Sequence, residues 1–138
     1  MKRPLVFLAM IATVFAGCKK AAKTTTTHFL SASVTGGSSL YATGIYLNDI
    51  VSSSNLNIKA STSTSAEVGI WCSSYTGAGT YTVDGVATGG EYTNSLGVAS
   101  NATAGTITIT ATTPNLTGSF NFTCPGGVVV SGSFNAAP

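Results

Sequence analysis

Gly105-Thr106-Ile107-Thr108-Ile109-Thr110 alternates a branched apolar side chain with a threonine at every second position. Side chains alternate sides along an extended strand, so this period gives one apolar face and one hydroxyl-bearing face. The same period recurs outward in both directions. Upstream it joins Leu30, Ala32 and Val34, then Leu56, Ile58 and Ala60 with Asn57 and Lys59 turned out, then Val68, Ile70 and Cys72. Leu40 to Leu47 reads as another strand ending in a turn at Asn48-Asp49, and Tyr81 with Val83 as one that stops at Asp84-Gly85. Glu91 to Val98 is ambiguous. Downstream, Phe120 and Phe122 lead to Cys124, and Val128 to Phe134 closes the chain.

No stretch after Cys18 carries a capped amphipathic helical period, while Thr, Ser, Gly and β-branched residues dominate. The expectation is an all-β domain, an antiparallel β-sandwich or small β-barrel of about 8 to 9 short strands. Glycines 77, 79, 85, 89 and 90 read as turns between strands. Near the end, Gly118-Ser119-Phe120-Asn121 repeats as Gly132-Ser133-Phe134-Asn135 around Pro125-Gly126-Gly127. A three-residue hairpin there, with Pro125 opening a type I turn and Gly127 left-handed, sets Phe120 against Gly132 and Gly118 against Phe134. Each ring then covers the glycine opposite.

The N-terminus carries a different signal. Lys2 and Arg3 precede an apolar run from Leu5 to Ala16, about a dozen residues and so an export signal in form. A membrane-spanning helix, the alternative, needs roughly 20. Val14-Phe15-Ala16-Gly17-Cys18 resembles the lipobox of bacterial lipoproteins, with Phe15 where Leu is usual. That resemblance implies cleavage before Cys18, acylation of its thiol and amine, and anchoring without spanning. The chain divides into a signal peptide (1–17), a lipid-anchored Thr-rich spacer (18–27) and one β domain (28–138). Lys19, Lys20 and Lys23 either lie against anionic headgroups or form a solvated tether.

Charge excludes one large class of partner. The whole chain has a formal charge of +2, yet Lys59 is the only basic residue after Thr24, against Asp49, Glu67, Asp84 and Glu91. A domain with one lysine and no arginine lacks the cationic cluster that a phosphate backbone requires, so no nucleic-acid partner is expected. Metals are not expected either, because His28 is the one histidine and there is no C-x-x-C pair. With Cys18 lipidated in an oxidising compartment, Cys72 and Cys124 are expected to form a disulfide; both share inward parity with their strands. Such a loop is worth about 4 kcal/mol in the chain-entropy model.

The motifs Gly105-Thr106-Ile107-Thr108-Ile109-Thr110, Thr117-Gly118-Ser119-Phe120, Gly132-Ser133-Phe134 and Gly79-Thr80-Tyr81 together resemble a family of small uncharacterised lipoproteins from Bacteroidota. The resemblance implies an all-β lipoprotein domain and brings no catalytic residue or cofactor.

Enzymatic readings fail on inventory. His28 abuts the spacer and has no positional support as a general base. Asp49 and Asp84 read as turn residues, leaving Glu67 and Glu91 as the one carboxylate pair, with nothing in the sequence placing them together. The expected function is therefore non-catalytic: a structural or interaction module of the cell envelope, held by its lipid and touching other envelope proteins. The alternative is a ligand-binding module for glycan, peptide or an apolar molecule using exposed aromatics, with Trp71, Tyr75 and Tyr81 as candidates. Trp71 points away from the core by parity and is either an open platform or a covered residue. Surface-exported lipoproteins of Bacteroidota carry acidic residues just after the lipidated cysteine. This chain has lysines there and no acid before Asp49, so an outer-membrane protein facing the periplasm is expected, with the cell surface as the alternative.

Overall fold

A computed structural model describes residues 27–37, 39–44, 47–52 and 54–137. The signal peptide, Cys18 and nearly all of the spacer lie outside the described residues. Eleven strands form among those described: β1 Phe29–Val34, β2 Leu40–Ala42, β3 Leu47–Val51, β4 Asn55–Ser61, β5 Glu67–Ser73, β6 Gly79–Thr82, β7 Thr88–Thr93, β8 Ala99–Asn101, β9 Ala104–Ala111, β10 Leu116–Cys124 and β11 Val128–Ala136. They make two antiparallel sheets, ordered β2-β1-β11-β10-β9-β6 and β3-β4-β5-β7-β8. Neither sheet closes on itself, so the fold is a β-sandwich and not a barrel.

Two more strands form than the upper expectation because one stretch divides and a further short strand, β8, follows another. Leu40 to Leu47 supplies β2 and the start of β3, so Asn48 and Asp49 stand inside a strand paired with Lys59 and Ile58 and are not a turn. The ambiguous 91–98 stretch is the end of β7 and its turn into β8. Both extra strands are short outer members, which limits the unpaired backbone exposed at the sheet margins.

The core is built from the parities read in sequence. Leu56, Ile58, Ala60, Val68, Ile70 and Cys72 of one sheet face Leu30, Ile107, Ile109, Phe120, Phe122 and Val130 of the other, all buried. The last hairpin has the expected register, with Cys124 opposite Val128, Phe120 opposite Gly132 and Gly118 opposite Phe134. Its turn differs in type. Gly126 is left-handed (φ 80°, ψ 7°) as well as Gly127 (φ 78°), and Gly126 has the geometry of the third residue of a type II turn.

Gly79, Gly89 and Gly90 are strand residues, contrary to the turn reading. Gly89 pairs with Trp71 on the outer face, and a Cβ there would enter the indole ring. Gly90 faces inward, where a Cβ would stand 2.5 Å from the ring of Phe122, reaching across from the other sheet. The backbone of β7 is thus held between two aromatic side chains, one on each side.

The expected disulfide does not form: Cys72 and Cys124 are both buried free thiols. Parity placed both inward correctly but says nothing of position along the sandwich. Cys72 pairs with Thr88, the first residue of β7, with its Sγ 3.5 Å from Thr88 Oγ1. The Cys124 thiol donates to Ser100 O at 3.3 Å, and Ser100 pairs with Tyr92 near the far end of β7. Thr88 and Tyr92 are four residues apart, roughly 13 Å along a strand. A disulfide requires Cα atoms within about 7 Å.

The aromatic seats give a graded test. Gly90→Ala, whose new methyl meets the Phe122 ring, is expected to destabilise the domain by about 1–3 kcal/mol, and Gly132→Ala, whose methyl meets the Ser31 backbone carbonyl as well as the Phe120 ring, by at least as much. Gly79→Ala, at ordinary contact distance from Tyr81 (3.7 Å), should stay within about 0.5 kcal/mol of the parent in denaturant unfolding.

Candidate functional site

The three aromatic candidates do not meet on one surface. Trp71 lies on the outer face of its sheet, half-buried, with its indole over Gly89 and its Nε1–H donating to Val86 O at 3.3 Å. It is covered on one side by the 84–87 turn and is not an open platform. Tyr75 is 5% exposed and its hydroxyl donates to Ser52 O. Burial pushes that phenol above its ordinary value. Tyr81 packs at the margin of the core, where its hydroxyl donates to Gly77 O (2.7 Å) and accepts from Thr76 N (3.1 Å). Both tyrosines therefore hold the β5–β6 connection in place, and their rings are unavailable as a joint ligand surface.

A recessed site exists elsewhere, among turns. Thr62 Oγ1 accepts from the backbone N–H of Thr64 and Ala66, each at 3.2 Å. Asn94 Oδ1 accepts from Leu96 and Val98, each at 3.0 Å. The two hairpins share further bonds: Thr62 N to Ala66 O and Ser65 N to Thr62 O in one, Asn94 N to Val98 O and Gly97 N to Asn94 O in the other. The left-handed fourth residue is Ser65 (φ 64°) in the first and Gly97 (φ 79°) in the second. A side-chain acceptor at the first position thus organises each turn, as Ser, Thr, Asn and Asp do. Asp84 uses the same acceptor pattern toward Val86 and Thr88, at 2.8 and 2.9 Å. The Thr88 and Val86 N–H groups hold its carboxyl below the usual carboxylate range.

These two turns and the β1–β2 turn enclose a groove of about 610 Å³ at the end of β1 opposite the entering N-terminal segment. Val34 and Leu40, both buried in the core, lie beneath its floor, and Tyr92 lines it from β7. Ser39, Thr64, Asn94 and Ser95 add hydroxyls and one carboxamide, while Leu96 stands on the rim, 86% exposed. The groove was missed in sequence because its walls come from three separated turns. The available signal was Asn94-Ser95-Leu96-Gly97, a polar turn carrying a large apolar residue outward.

The described charged groups that pair with one another are not in the groove lining. Lys59 Nζ lies 2.7 Å from Glu67 and 3.9 Å from Glu91, across three neighbouring strands on the outer face that carries Trp71. The hydrogen bond that Lys59 donates to Glu67 raises the lysine's pKa, with the charges of both carboxylates adding to it. The structure thus brings together the two glutamates that sequence could not place, around a shared cation on an outer sheet face. His28 is half-buried just before β1. Among the described residues no group of three His, Cys, Asp or Glu is arranged to hold a metal, and no helix is long and apolar enough to cross a membrane. No family model, curated protein or solved structure matches the chain.

Burial pushes both thiols above the ordinary value of 9.0, keeping them protonated and poor nucleophiles. Their stabilising contribution is complete below the unfolded-state pKa and is lost as pH rises through the raised native one. A Cys18→Ser protein should therefore resist maleimide when native at pH 7 and take up two equivalents once unfolded without reductant. Its stability should fall as pH rises above about 9. Fewer than two equivalents after unfolding indicates an oxidised pair.

Proposed function

We propose that the chain is a lipid-anchored, non-catalytic protein of the bacterial envelope whose β-sandwich is an interaction module working through its loop end. The observation that carries this reading is the groove rimmed by Leu96, with its turns fixed by Thr62 and Asn94, at the end of β1 opposite the entering segment. Six residues of strand separate the two ends, roughly 20 Å. A tether entering at one end leaves the other free to meet a partner. Recognition surfaces on sandwiches commonly sit on such loop clusters.

The anchoring half rests on the lipobox-like Val14-Phe15-Ala16-Gly17-Cys18 and on the resemblance to small Bacteroidota lipoproteins. Lys19, Lys20 and Lys23, with no acidic residue before Asp49, favour an outer-membrane position facing the periplasm over the cell surface. Protonated thiols and a glutamate pair occupied by Lys59 support a non-catalytic role. Ligand binding stands as the second reading, moved from the aromatics to the groove, because Tyr75 and Tyr81 are committed to hydrogen bonds within the fold.

Membrane-extracted protein should carry acyl chains on Cys18 by mass spectrometry, and Cys18→Ser should leave the protein soluble or unprocessed. A photo-crosslinking residue at Leu96 should form adducts in intact cells that the same residue at Val86, 85% exposed on another turn, does not form. An unmodified Cys18 thiol in membrane-extracted protein contradicts the anchor. Equal crosslinking from both positions contradicts the loop-end surface.

A further inference from the structure

We infer that the groove between the β1–β2, β4–β5 and β7–β8 turns is a binding site for an uncharged saccharide. This deepens the loop-end reading above and rests on it. Size is the first argument. A volume of about 610 Å³ lies within the range of small-ligand sites, roughly 300–1,000 Å³.

Chemistry narrows the occupant. Among the described residues every side chain that lines the groove is neutral, and none of Lys59, Glu67, Asp84 and Glu91 is among them. An ionic ligand would lose hydration there without gaining a counter-charge. Ser39 and Ser95 supply hydroxyls that both donate and accept, and Asn94, whose Oδ1 is taken by Leu96 and Val98, supplies its amide N–H groups as donors. An acyl chain would require continuous apolar walls, and here Val34 and Leu40 are buried while Ser39, Thr64 and Ser95 are among the lining residues. A sugar ring matches this mixture: its hydroxyl rim meets the hydroxyls and the Asn94 amide N–H groups, and its C–H faces meet the Tyr92 ring and Leu96, Val34 and Leu40 being buried beneath.

Pre-organisation is the third argument. Thr62 and Asn94 already hold the flanking turns through two backbone N–H bonds each, so binding there need not order a mobile loop. The outer face around Trp71 lacks these properties, since its charges are paired with one another and the indole is seated on Gly89.

The test uses the full chain extracted in detergent and saturation-transfer NMR with maltotriose, cellotriose and chitotriose, with trigalacturonate as the charged counterpart. At least one neutral trisaccharide should give a saturable signal, and trigalacturonate none. Ser39→Trp and Ser95→Trp, each filling the groove from an exposed position, should weaken binding by at least about tenfold. Val86→Ser, on a different turn, should leave it unchanged. Absence of signal from all three up to about 10 mM overturns the assignment, since that range covers millimolar affinities. Binding that survives both tryptophan variants, or a stronger signal from trigalacturonate, overturns it as well. If Leu96 crosslinks an envelope protein while no saccharide binds, the loop-end reading stands and the saccharide assignment alone falls.

Discussion

The strand Thr88–Thr93 is held between Trp71 on the outside of the sandwich and Phe122 on the inside, and the two positions under those rings are Gly89 and Gly90. Each glycine costs roughly 0.5–1 kcal/mol in chain entropy relative to alanine. Burying a phenylalanine gains about 1.5–3 kcal/mol. The balance favours the rings, provided no side chain separates them from the backbone. A related exchange occurs twice in the facing sheet, where Phe120 lies over Gly132 and Phe134 over Gly118, and where a Cβ would also meet the backbone carbonyls of Ser31 and Thr108 respectively. Phe122 links the layers because it belongs to β10 and seats on β7.

This constraint explains how so few charges suffice. Exposed ion pairs such as Lys59 with Glu67 contribute at most about 1 kcal/mol. The fold depends instead on apolar alternation, aromatic seating and side-chain bonds that fix its turns. Each turn bond contributes about 1 kcal/mol. The turns organised by Thr62 and Asn94 serve a second purpose. They hold the groove walls in position with hydroxyl and amide groups, leaving the site neutral.

Period-two alternation made the faces legible: Ile107 and Ile109, Val68 and Ile70, and Phe120 and Phe122 are inward as their parity requires. Hairpin length made one register legible, down to the Phe120–Gly132 pair. What alternation cannot encode is position along the sandwich or contact across it. Cys72 and Cys124 share inward parity yet contact residues near opposite ends of β7. Gly89-Gly90 looks like a turn because its reason for being glycine lies in residues 18 positions before one and 32 after the other, Trp71 and Phe122. Asp84 was readable as a turn residue, whereas Asp49 was not, since its surroundings come from pairing with β4. The groove was the least legible feature, being assembled from turns that only the fold brings together.

The seating of rings on glycine backbone is most directly measured by proton NMR of the glycine Hα atoms. Aromatic ring currents should move the Hα resonances of Gly89, Gly90, Gly118 and Gly132 well upfield. Those of Gly36 and Gly97, which have open space where a Cβ would stand, should remain near random-coil positions. If all six resonate alike, the rings are not seated on the strands and the account of how the two sheets are held is wrong.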